Sequence, residues 1–406
     1  MTSVTVISSP LSYSEFYKEF ILRNKPCFFS KFFTNNWICR KKWVLENDVP
    51  NIEFLKEIYG DLTAPVLDCN EVYFSSHKKC DMLIAEYFDY WKNRENKILY
   101  LKDWHLQRDN RQENFYNVPI YFSSDWLNEF WDSRNIGDDY RFVYIGVQGS
   151  WTPFHADVFQ SYSWSANICG LKEWYLYPPG DEEYLRDIHG NLPLDITKTD
   201  VDPKLYPNWD KAKQIKLLQR SGEIIFIPSG WHHQVVNKLD TISINHNWVN
   251  AGCIRNMYYH LHLELQLVTR EISDCKQMDG FHQQCQLILN ASAGIDFNGF
   301  FDMILFLLKQ RLNVLEESYV KKTCQETLLH SLSRLRISFK PNLPYILEGI
   351  DIQEEIKYIK FDLCKLKSIT DLIVNDRDFQ LVIPLEKMSK LHKLRSSMEI
   401  IKTKLC

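Results

Sequence analysis

The chain predicts an antiparallel β barrel or sandwich, preceded by a mixed α/β segment and followed by a helical region. Three observations carry this. Between about residue 140 and Trp248, short aromatic and β-branched runs are separated by Gly, Pro and Asp. Before that stretch, short helical and extended patterns alternate. After Gly252, apolar residues recur at three- and four-residue spacing. A chain of 406 residues has room for one large domain and an appended one. The expected segments are 1–135 supporting the barrel, 136–250 forming it, and 251–406 as helices.

In chain order, Ser12 caps an amphipathic helix that presents Phe16, Phe20 and Ile21 on one face. Met82 to Trp91 reads as a second helix and Lys97 to Lys102 as a strand. The barrel strands are expected over Tyr140–Gly146, Ser161–Cys169, Lys172–Tyr177, Glu223–Ile227 and Thr241–Trp248. An insert from Gly180 to about Gln214 is rich in Pro and acids, with no clear period. A loop of that length in a compact domain is either functional or disordered. The C-terminal helical patterns run from Met257, from Phe297 to Val320 and from Cys324 to Ile337, with a break at Phe339–Pro344.

Composition narrows the function. A net charge of -4 gives no basic field for nucleic acid or an anionic membrane, so neither is an expected partner. The apolar runs are too short and interrupted to span a bilayer, and the N-terminus lacks a signal peptide's basic and apolar regions. The 11 cysteines, scattered without CxxC pairs, read as reduced thiols of an intracellular protein. The cytoplasm is the expected compartment, although the residues alone do not separate it from the nucleus.

The chemistry concentrates in His155-Ala-Asp157 and a distal Gly230-Trp-His-His233. Two imidazoles and one carboxylate can hold one face of an octahedral metal and leave the other open, as non-haem Fe(II) oxygenases require. On an extended chain His155 and Asp157 share a face. By itself His-x-Asp is common by chance; the distal histidine turns it into a triad. Glu223–Pro228 reads as a buried strand feeding a Pro-Ser-Gly turn that presents the histidine pair. Parity puts His232 and His233 on opposite faces, so one is a ligand and the other a packing or supporting residue. His246 reads as a hydrogen-bonded core residue, and His77, His105, His189, His260, His262, His282, His330 and His392 as structural or surface groups. Zinc would also accept His/His/Asp, but the helical HExxH of many catalytic zinc sites is absent.

Several ordered pieces then resemble the jumonji-C (JmjC) oxygenases, a branch of the Fe(II)- and 2-oxoglutarate-dependent dioxygenases, over about residues 10–250. They are Thr152-Pro-Phe-His155-Ala-Asp157, Trp164 with Gly170-Leu-Lys172-Glu-Trp174, Leu176-Tyr-Pro-Pro179, Gly222–Pro228, Gly230–His233 and Asp240–Trp248. The resemblance implies a double-stranded β-helix of jelly-roll (cupin-like) form with Fe(II), 2-oxoglutarate and dioxygen as cofactor and co-substrates. It implies His155, Asp157 and His233 as metal ligands, His232 standing where the family has Trp. It further implies Lys172 on the distal carboxylate of 2-oxoglutarate, with Tyr100 and Thr152 beside it. Ser165 stands where some relatives carry Asn, and Asn245 where they carry Thr.

The branch it most resembles implies hydroxylation of a lysine side-chain carbon, with the eukaryotic translation termination factor (release factor 1) as protein substrate. Two alternatives stay open: lysine demethylation of histones or other proteins by the same iron chemistry, and a catalytically inactive JmjC scaffold. The acids between Asp181 and Asp210 would suit a basic substrate segment, or form a solvated loop. The apolar face of Phe297–Leu312 would either support the barrel or join a homodimer through the C-terminal helices.

Overall fold

The computed structural model describes residues 4–73, 76–94, 96–110, 113–134, 138–197, 201–328 and 352–405. They divide into two compact units, Met1–Phe122 with Trp131–Trp248, and Ser123–Phe130 with Val249–Cys406.

The first unit is built on two sheets. Its strands are β1 (Thr5–Ile7), β2 (Cys27–Phe29), β3 (Thr63–Tyr73), β4 (Ser76–Leu83), β5 (Leu99–Trp104), β6 (Arg141–Gly146), β7 (Trp151–His155), β8 (Tyr162–Cys169), β9 (Leu171–Tyr177), β10 (Ile215–Arg220), β11 (Ile224–Ile227), β12 (His232–Asn237) and β13 (Thr241–Trp248). The larger sheet has the order β1-β2-β11-β8-β13-β6-β5-β3-β4, and the smaller β10-β9-β12-β7. This is the jelly-roll core of a cupin-like fold, with N-terminal α/β elements around it.

Side-chain alternation explains what each face of the larger sheet does. In β8, Trp164, Ala166 and Ile168 are fully buried. Trp164 stacks on Phe122 (centroids 5.5 Å apart), which in turn stacks on Phe226. The opposite face of β8 carries Ser163 and Ser165. Strand β13 repeats the pattern in register, with Asn245 opposite Ser165, His246 opposite Trp164 and Asn247 opposite Ser163. One face is therefore an aromatic core, and the other is a wall of small polar side chains.

The strands expected at 140–248 form within a residue or two of their expected bounds. The helix expected from Met82 begins later, at Ile84, because Met82 and Leu83 finish β4. The capped helix at Ser12 forms with a full capping box and continues as a π-helical stretch. The long insert is ordered over most of its length. Leu185, Ile196, Leu192 and Trp209 pack with Phe154 and Tyr177, anchoring it over β7 and β9.

The second unit is helical: Ile254–Glu271, Phe281–Ala293, Phe297–Leu328, Ile352–Asn375, Arg377–Val382 and Leu385–Leu405. The two patterns expected around Val320 and Cys324 belong to one helix as far as Leu328; the break expected at Phe339–Pro344 lies outside the described residues. Phe297, Phe300, Phe301, Ile304, Leu308 and Leu312 are buried, and Phe297 stacks on Phe379 at 4.3 Å. No single helix among the described residues is long and apolar enough to cross a membrane.

Candidate metal and co-substrate site

The smaller sheet brings the distant histidines together. Strands β7 and β12 run antiparallel with His155 directly opposite His233, and the ring centroids lie 4.5 Å apart. One ligating atom from each of His155, Asp157 and His233 lies within 4.8 Å of the others. Between His233 and Val235 the register slips, so that β7 carries an extra residue, Val235 then facing Thr152. This bulge lets Thr152 and His155 line the same pocket although their spacing of three would place them on opposite faces of a regular strand. Asp157 follows the end of β7, ahead of a short turn in which Phe159 and Gln160 both take left-handed φ, 60° and 54°.

Both imidazoles are prepared in the same way. His155 Nδ1 donates to the Pro153 carbonyl at 2.8 Å, and His233 Nδ1 to the Trp231 carbonyl at 3.1 Å. A carbonyl can only accept, so each ring carries its proton on Nδ1 and keeps the Nε2 lone pair for a metal. Burial, and then the neighbouring His233, push His155 down to about 3, so its ring is neutral. Burial works to raise Asp157, but His233, His155 and hydrogen bonds from Ser163 and Asn247 outweigh it and hold the carboxyl below its usual range. Ser163 Oγ donates to Asp157 Oδ2 at 2.6 Å. Two imidazoles, one carboxylate and supporting partners on each fit a divalent metal of the iron type.

Lys172 supplies the other half of the site. Along β9, Lys172, Trp174 and Leu176 face inward, whereas Glu173 pairs outward with Lys216 and Lys238. The Lys172 side chain is almost wholly buried at 2 % exposure. Its ammonium donates to the Tyr100 hydroxyl at 3.3 Å and forms no ion pair among the described residues. Burial, and then the charge of Lys102, pull it down to about 7. Tyr100 is itself held by Asn237 and Thr152. Ser165, facing Asn245 across the β8–β13 pair, has a buried hydroxyl without a hydrogen-bond partner. A buried ammonium with no ion pair among the described residues and a buried hydroxyl without a partner, beside a metal-binding set, fit an acidic, chelating small molecule. His155, Asp157, His233, Lys172, Tyr100, Thr152, Ser165 and Asn245 thus all line one pocket, together with Lys102, Tyr144, Ser163 and Asn247.

Sequence reasoning did not single out those last four. The alternation of small polar residues in β8 and β13 was the available signal for Ser163 and Asn247. The Pro153 and Trp231 carbonyls have no sequence signature at all. His232 points away from the pocket, with Phe154 and Glu182 as neighbours. His246 is a core residue, hydrogen-bonded to Tyr116 at 2.6 Å and stacked on Trp164. His330 lies outside the described residues. Several acids of the insert are occupied locally: Asp187 accepts from the backbone N–H groups of His189 and Asn191, Asp195 from Gln234, and Glu183 pairs with Arg186.

His262, Asp376 and Asp378 form another close group among the described residues. There the two nitrogens of one ring face the two carboxylates, at 2.7 and 3.7 Å.

The chain as a whole also has counterparts among known proteins. Residues 142–248 match the JmjC domain, described as a hydroxylase. A zebrafish (Danio rerio) protein named 2-oxoglutarate and iron-dependent oxygenase JMJD4 is 43% identical over 392 residues, covering 94% of this chain and 88% of the relative. The human protein of that name is 46% identical over 327 residues, 78% of each chain. An Arabidopsis thaliana protein named arginine-specific demethylase JMJ20 is 38% identical over 333 residues, 77% of this chain and 71% of the relative.

Proposed function

Because this chain belongs to the JmjC family and is an iron- and 2-oxoglutarate-dependent oxygenase, we propose that it hydroxylates a lysine side-chain carbon of the translation termination factor (release factor 1) in the cytoplasm. In this reading His155, Asp157 and His233 hold the iron. Lys172, aided by Tyr100 and Thr152, holds the distal carboxylate of 2-oxoglutarate, and Ser165 and Asn245 line the space between. When bound, the iron with 2-oxoglutarate and dioxygen supplies the oxidising power to place one oxygen atom on an unactivated C–H carbon, the other leaving in succinate as carbon dioxide is lost.

The chain's own residues supply order. The Pro153 and Trp231 carbonyls fix the imidazole tautomers, and Ser163 and Asn247 hold the Asp157 carboxylate. The aromatic core around Trp164 backs the polar wall on the far side of the sheet. No protein acid or base is required for this chemistry, so none is assigned. The observation that carries the oxygenase reading is the buried Lys172 ammonium, without an ion pair among the described residues, beside a His/Asp/His set whose Nε2 atoms make no hydrogen bond there.

The test incubates purified protein with Fe(II), 2-oxoglutarate and release factor 1, and maps added oxygen by peptide mass spectrometry. One oxygen on a lysine, matched by succinate and lost in His155→Ala, is the expected result. The relationship to a protein named arginine-specific demethylase favours a second reading, oxidation of an N-methyl carbon. Formaldehyde released from N-methylated peptides, with no oxygen retained on release factor 1, would establish that reading instead.

A further inference from the structure

The catalytic pocket is lined by two lysines, and among the described residues neither has a carboxylate partner. Lys172 is the first. Lys102, two residues beyond Tyr100 on β5, is the second. Its ammonium lies over the Tyr144 ring, 5.4 Å from the centroid, and forms no ion pair among the described residues. The neighbouring acid does not neutralise it. Asp103 takes a left-handed φ of 61° where the β5–β6 register slips, and accepts a hydrogen bond from the Tyr144 hydroxyl at 2.9 Å instead. A half-buried cation without a counter-ion, facing a pocket rather than solvent, is placed for an anion.

The spacing suits one particular anion. Tyr100, which touches Lys172, and Lys102 share a face of β5, so they are about 6.6 Å apart along the strand. A five-carbon dicarboxylate has four C–C bonds between its carboxyl carbons, an end-to-end span of about 5 Å. The buried Ser165 hydroxyl offers only a single neutral hydrogen bond to such a group. We propose that Lys102 is a second anchor for the co-substrate, its ammonium binding the carboxylate next to the keto group while Lys172 holds the distal one. This rests on the iron and 2-oxoglutarate reading above. It makes Lys102 the residue that selects 2-oxo dicarboxylates over keto acids with a single carboxylate.

The test compares two ligands that differ only at that end. 2-Oxoglutarate and levulinate share the distal carboxylate and the ketone, but levulinate has a methyl group where the keto-side carboxylate stands. Binding is measured by calorimetry on protein loaded with manganese(II), a redox-quiet occupant of the same kind of ligand set. In Lys102→Met the dissociation constant for 2-oxoglutarate should rise about tenfold or more while that for levulinate is unchanged; Lys102→Arg should restore most of the loss. Lys172→Met should weaken both ligands, and if it weakened neither, the co-substrate reading itself would fall. Equal loss of both ligands in Lys102→Met, or no loss of either, overturns the role of Lys102 alone. So does a change confined to the Michaelis constant of the protein substrate, which would make Lys102 a gate for the target side chain.

Discussion

Arg311 in the helical unit and Lys172 in the barrel are both cations withdrawn from water, and their surroundings are opposite. Arg311 places two guanidinium nitrogens on the Glu129 carboxylate at 2.8 Å each and a third on Asp362 at 3.0 Å. That charge is satisfied within the fold, and its partners drive its protonated form far above the usual range. Lys172 has one hydroxyl at 3.3 Å and is pulled down to about 7. A buried charge that the chain neutralises is architecture; one that it leaves exposed to a pocket is a receptor. The same contrast separates the two histidine–carboxylate groups. His262 uses its ring on two carboxylates, whereas His155 and His233 spend only Nδ1 and keep Nε2 free.

The comparison can be broken most directly at Arg311. Arg311→Met leaves Glu129 and Asp362 buried without their cation, and should lower stability by about 3–5 kcal/mol in chemical denaturation. A loss below 1 kcal/mol would mean that this network is not the structural counterpart of Lys172.

Lys172→Met should do the reverse. Folding lowers this lysine from 10.5 to about 7, so between those values the unfolded chain binds more protons than the folded one. Stability contributed at this position therefore rises with pH across that window, and the penalty of the buried ammonium is complete below pH 7. The methionine variant should exceed the wild type by up to about 5 kcal/mol near pH 6 and converge with it above 10.5. Its affinity for 2-oxoglutarate should meanwhile collapse. In the wild type that affinity should fall as pH rises above 7, since the empty site then loses the proton its anion needs. A pH-independent affinity would contradict the receptor role.

Smaller effects sharpen the histidine contrast. Ser163→Ala removes the 2.6 Å bond to Asp157 and should weaken metal binding about tenfold, read by competition with a chelator. His232→Asn should leave metal affinity unchanged, since that ring lies on the outer face of β12. A loss equal to that of His233→Asn would reverse the assignment of the third ligand.

How much of this was legible in the sequence follows from how each part is encoded. The barrel strands announced themselves because their residues are aromatic and β-branched; parity put His232 and His233 on opposite faces, and the family resemblance chose between them. Strand β7 was harder, because it contains Pro153; a proline is tolerated there since β7 is the edge of its sheet. The bulge that brings Thr152 beside His155 depends on the register of β12 and is invisible in either segment alone. Lys172 gained a role only through family resemblance, because nothing local distinguishes an inward lysine from an outward one. Lys102 entered the sequence reading only as the last residue of an expected strand, with nothing to mark it as pocket-lining. The partnership of Arg311 with Glu129 spans 182 residues and leaves no local trace.

The turn before β12 has a consequence of another kind. Ser229 donates its hydroxyl to the Gln160 carbonyl, and Gly230 takes φ of 76°, a value that favours glycine. The loop carrying Asp157 and the loop carrying His233 are therefore clasped to each other independently of any ion. To let a metal go, both must swing out together, so the clasp acts on time as well as on shape: it should lengthen the residence of the ion far more than it alters the rate of capture.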